Sequence, residues 1–217
     1  MLVKAPFAWR GVTWGDAIEV GGVYVVLALY GSVAALAGTP RRAILGFAAI
    51  SYALGHGIHV AANSASDMLA ATGGHDPWGV VTLWDERIGH YLVDAGRVAF
   101  AIALTWMESS GASASTVAGA TSSGSSRWLI GAGAAAYGFI YFATAVEGQT
   151  APLALPFCAT FAAWSAWSAG RRSHGSSAAG MTIRAFFSIA AWVALLFFAI
   201  WGVTQRGLPE FTKTGIL

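Results

Sequence analysis

The sequence predicts an all-α, polytopic membrane protein, a bundle of about six transmembrane helices forming one domain over residues 1–217. Three observations predict it. Of the 217 residues, 56% are hydrophobic and only 10% are charged. Mean hydropathy is +0.61, far above that of a soluble domain. The apolar residues also come in runs of about 20, the length at which a helix crosses the ~30 Å hydrocarbon core.

The runs fall near 17–38, 43–66, 88–108, 128–147, 151–169 and 182–203. They are too long, and alternate too little, for the roughly 10-residue strands of a membrane β-barrel. The first 15 residues carry Lys4, Trp9, Arg10 and Trp14 but no continuous apolar core or small-residue cleavage site. They read as an interfacial segment rather than a signal peptide. The first run begins with Glu19 and is followed by Arg41 and Arg42. The second contains Gly55-His56-Gly57-Ile58-His59, then Asn63 and Asp67. Asp85-Glu86-Arg87-Ile88-Gly89-His90 opens the third. A Gly/Ser/Ala linker over 109–126 and Arg127 precede the fourth, which ends with Glu147. The fifth holds the lone Cys158, which argues against disulfide chemistry and thiol-relay enzymes, and is followed by Arg171 and Arg172. The sixth contains no histidine.

Basic residues in short loops set orientation, so the three arginine-bearing loops belong on the cytoplasmic side. The loop over 67–87 and both termini then face outward, in a multi-pass protein of the plasma membrane. Trp14, Trp84 and Trp201 fall near the outer interface and Trp106, Trp128, Trp164 and Trp167 near the inner one, as an aromatic belt requires. Net charge is only +2, which gives no footing for nucleic acid. Membrane lipids are the expected partners, with an oligomer or larger membrane complex open.

Ionisable groups at membrane depth are costly and mark function. At 100° per residue, His56, His59, Asn63 and Asp67 fall within roughly 80° of one helix face, and Glu86, His90, Asp94 and Arg97 do the same on the next. His56 lies about 20 Å from the inner end of its helix, and Glu19, His90 and Glu147 lie near outer ends. These groups therefore converge on the outer third of the membrane. Imidazole with carboxylate suits a divalent transition metal, zinc in first place and iron or copper after it. The expected ligands are His56, His59, His90 and Glu147. Asp67 or Glu86 is the expected base, and Asn63 the expected hydrogen-bonding partner of a substrate oxygen. Asp94 and Arg97 read as a structural ion pair, and Asp85 as part of a solvated helix start.

Two family patterns bear on this. His59-Val-Ala-Ala-Asn63 has the His-x-x-x-Asn spacing of the second helix of rhomboid proteases, but Gly131-Ala-Gly-Ala-Ala-Ala136 lacks their Gly-x-Ser-Gly serine. His56-x10-Asp67 resembles the His-x10-Asp element of the CREST superfamily of membrane hydrolases, which includes the alkaline ceramidases. That resemblance implies a zinc site inside a helical bundle acting on lipid amides, with His56 a zinc ligand and Asp67 a base or supporting residue. It covers one helix. Tyr52 stands where the family has a serine, and residues 181–203 lack its His-x-x-x-His.

The function expected is therefore that of an integral membrane metalloprotein, a zinc-dependent hydrolase of a lipid or amphiphile. The alternatives are a redox protein with non-haem iron, copper or haem, a metal-ion or proton transporter, and an accessory subunit.

Overall fold

The computed structural model describes residues 14–36, 42–76, 79–109, 124–170 and 182–215. The described residues are mostly helical and contain no strand. The helices are α1 (Trp14–Leu36), α2 (Arg42–Ala71), α3 (Val80–Thr82), a π-helical segment (Leu83–Gly89), α4 (His90–Ser109), α5 (Gly124–Glu147), α6 (Ala151–Gly170), α7 (Thr182–Thr204) and α8 (Phe211–Thr214). The six long helices fall on the six apolar runs. Three of them are long and apolar enough to cross a membrane: Ala43–Ala71, Trp128–Glu147 and Ile183–Thr204. The interfacial segment with Lys4 and Arg10, most of the 109–126 linker, and Arg41, Arg171 and Arg172 lie outside the described residues.

The chain gathers into two compact units, Met1–Val33 with Ala43–Phe100, and Ala34–Arg42 with Ala101–Leu217. In the first, α2 and α4 meet backbone to backbone. A Cβ on Gly55 would lie 2.5 Å from the Val93 amide nitrogen, and one on Gly96 2.7 Å from the Tyr52 nitrogen. Real side chains do not tolerate such contacts, so glycine sets the spacing here, as small residues do where membrane helices pack closely. Around this crossing lie Ala48, Tyr52, Val93, Ala99 and Phe100, with Tyr30 of α1 stacked on Phe100 at a centroid distance of 4.1 Å.

The run that follows α2 begins at Asp76. Its carboxylate accepts hydrogen bonds from the backbone N–H groups of Val80 (2.9 Å), Val81 (2.8 Å) and Thr82 (3.1 Å), satisfying the orphan donors of α3. The winding then widens to π over Leu83–Gly89 and returns to α at His90.

The second unit is built on aromatics. α7 packs along α5 and α6, and Gly138 faces the Ala190 carbonyl directly, leaving no space for a side chain. Phe142 is ringed by Phe139, Phe197, Phe198 and Phe211. Large apolar side chains also point outward in both units, among them Tyr24 and Leu29 of α1, Ile50 of α2 and Trp128 and Leu129 of α5. Helices that expose this much apolar surface are suited to lipid.

Candidate metal centre

The site is assembled in the first unit from α1, α2, the π-helical segment and the start of α4. His56 and His59, one turn apart on α2, both face the carboxylate of Glu19 on α1. Glu19 Oε1 lies 2.8 Å from His56 Nδ1, and Oε2 lies 3.7 Å from His59 Nε2. The other ring nitrogen of His59, Nδ1, is hydrogen-bonded to Asp85 Oδ1. Asn63, a further turn along α2, brings Nδ2 to 3.2 Å from His59 Nε2. The His90 ring stands edge-on to His59, with centroids 4.5 Å apart.

Among the described residues, His59, Asp85 and His90 form a group able to hold a metal ion, with one ligand atom from each within 4.8 Å of the others. Two imidazoles with one carboxylate is a donor set used by catalytic zinc and by non-haem iron, and it leaves coordination positions open. Among the described residues His56 Nε2 is buried without a hydrogen-bond partner.

Glycine explains why these residues reach one another. Gly89, the last residue of the π-helical segment, lies over α2: a Cβ there would sit 3.3 Å from the His59 amide nitrogen and 3.3 Å from the Gly55 carbonyl oxygen. With Gly55 opposite, the two backbones come close enough for Asp85 and His90 to flank His59. Gly57 has open space around it and takes no part.

The residues picked out in the sequence divide into two sets. His59, His90 and Asn63 come together. His56 joins them through Glu19 rather than as a member of the three-residue group. Asp94 and Arg97 form the expected ion pair, Nη1 to Oδ1 at 3.0 Å. Asp67 is exposed near the end of α2, outside the metal-type group. Glu147 belongs to the second unit, where Oε2 accepts from the backbone N–H groups of Phe211 (2.8 Å) and Thr212 (3.4 Å) and so caps α8.

Two residues of the site have no site role in the sequence reading, although Glu19 falls among its converging groups. Asp85 is buried against His59, not part of a solvated helix start. The reason is the π winding. On an α-helix Glu86 and His90, four apart, share a face, and Asp85 lies well round the cylinder. The π winding of Leu83–Gly89 changes the side-chain register from that of an α-helix, and Asp85 comes to lie against His59. Glu19 gave a signal, a carboxylate inside an apolar run, but no spacing rule linked it to α2. The chain matches no family profile, no curated protein and no solved structure.

Proposed function

We propose that this protein is an integral membrane metalloenzyme, built around His59, Asp85 and His90, that hydrolyses a lipid or other amphiphile with a divalent transition metal, zinc in first place. The observation that carries the reading is the convergence of two imidazoles and a buried carboxylate, from α2, the π-helical segment and α4, at metal-ligand spacing. Ionisable groups of this kind are rare at membrane depth and mark functional sites. A three-donor set with open positions favours catalysis over a structural ion, and a bound zinc ion makes water nucleophilic near neutral pH. In this reading all six long helices are membrane spans, the site opens toward the outer leaflet, and the substrate enters sideways from the bilayer. In this reading Asn63 hydrogen-bonds a substrate oxygen through a side chain that meets His59 in the absence of substrate, and Glu86 is the candidate base.

The test is elemental analysis of the purified protein with a hydrolysis screen on fluorogenic lipid amides and esters. Zinc at one ion per chain, with hydrolysis abolished by His59→Ala and His90→Ala, is the expected result. Full hydrolysis by the double variant overturns the reading. One observation favours a second reading: the same two-histidine, one-carboxylate set is that of non-haem iron oxygenases. Iron in place of zinc in the purified protein selects it.

A further inference from the structure

Contacts among α5, α6 and α7 fix which of their ends lie together. Phe186 faces Gly133, Ala190 faces Gly138, and Phe197 and Phe198 lie against Phe142, so α5 and α7 run in the same direction. Phe161 meets Phe187 and Trp164 meets Arg184, so α6 runs the other way. The start of α5, the end of α6 and the start of α7 therefore share one end of the second unit. Trp128 and Ile183 open two of the helices long and apolar enough to cross a membrane, which puts this end at headgroup depth. Trp128 and Trp167 are exposed there, as side chains of an aromatic belt are.

Charge is distributed unevenly along the same three helices. Their only charged residues are Arg127 and Arg184, in the first turns of α5 and α7, and Glu147 at the opposite end. Glu147 is bound to the backbone of α8. No carboxylate of the three helices lies at the arginine end. Arg184 is half-buried, with its guanidinium carbon 4.7 Å from the centre of the Trp164 ring. The ring face attracts the cation without neutralising it. A cation in the first turn also opposes the helix dipole, and an anion beside it removes that cost.

We propose that this end of the second unit binds the phosphate of an anionic phospholipid, phosphatidylglycerol in the simplest case, through Arg184 seated on Trp164. The guanidinium fork matches a phosphate with two donors to two oxygens. The depth of the site favours a lipid as its occupant, and exposed apolar side chains, Leu129 of α5 and Trp192 of α7, lie on the same helices toward the hydrocarbon core, where acyl chains would run. Net negative charge is what distinguishes this lipid, because a zwitterionic headgroup brings its own cation. Trp164 is a positioning residue that holds the guanidinium at the interface. The inference is independent of the metal-centre reading.

The experiment is native mass spectrometry of the full-length protein in detergent micelles at low ionic strength. It is titrated with phosphatidylglycerol or with phosphatidylcholine of the same chains, and the Kd of the first bound lipid is read. Wild-type protein is expected to prefer phosphatidylglycerol about 5-fold or more, and Arg184→Gln to lower that preference about 5-fold, the worth of one basic residue at a membrane surface. Arg184→Lys, which keeps the charge, is expected to stay within about 2-fold of wild type, which shows that a loss in Arg184→Gln is not misfolding. Trp164→Leu is expected to lower the preference by less than Arg184→Gln does. Arg206→Gln removes the same charge beyond the other end of α7 and is expected to leave the preference unchanged. Equal affinity of the wild type for the two lipids overturns the proposal, as does an unchanged preference in Arg184→Gln. An equal loss in Arg206→Gln overturns it by reducing the effect to net charge. Displacement of the lipid by millimolar inorganic phosphate, but not by chloride at matched ionic strength, overturns it in favour of a free-anion site.

Discussion

The two units use the same material, long apolar helices brought close by glycine, for opposite ends. In the second, Gly138 against Ala190 lets α5 and α7 approach so that phenylalanine rings interlock, and Glu147 caps α8. In the first, Gly55, Gly89 and Gly96 bring α2, the π-helical segment and α4 together, and the groups that meet are His59, Asp85 and His90. Burying such groups costs free energy unless they are paired. The first unit pairs its buried acids, Asp85 with His59 and Asp94 with Arg97.

The largest effects separate the units outright. His59→Ala should weaken Zn(II) or Co(II) binding more than about 100-fold, and should also lower the unfolding temperature because buried Asp85 loses its partner. Phe142→Ala should cost about 3–5 kcal/mol, as loss of a buried aromatic does, with ion affinity unchanged. Chelator competition beside thermal unfolding in detergent reads both. Lost ion binding in Phe142→Ala would break the comparison.

Gly55→Val and Gly138→Val come next. Each inserts a side chain into a backbone contact, and overpacking of this kind costs typically about 1–3 kcal/mol. Both should lower the unfolding temperature. Only Gly55→Val should also lose the ion, roughly 10-fold or more, because it pushes α2 away from the strip that carries Asp85 and His90.

The π winding is tested by neighbouring carboxylates. Asp85→Asn should weaken ion binding about 10- to 100-fold, and Glu86→Gln should change it less than about 3-fold. The reverse order would mean that an α-helical register governs the site in the folded protein.

The smallest effect belongs to Glu147. Its replacement by Gln should cost about 1 kcal/mol, the usual size of a helix cap, and raise amide hydrogen exchange at Phe211 and Thr212. Ion affinity should not change. A large loss of ion binding would make Glu147 a ligand after all.

Hydrophobic run length and composition determined the helices, because a segment that is apolar along some 20 residues satisfies its backbone only by coiling on itself. The sequence also flagged His59, Asn63 and His90, since polar groups in apolar runs stand out one by one, and it paired Asp94 with Arg97 because their spacing is local. Tertiary structure decided the rest. A helical wheel assumes 100° per residue, and the π turn at Leu83–Gly89 breaks that assumption where Asp85 comes to lie against His59. Glu19 reaches His56 across 37 positions of sequence, a pairing set by how α1 lies on α2 and by no periodicity within either. Glu147, placed by run length near a helix end, was free to serve ion or backbone, and the α8 amides lay within its reach.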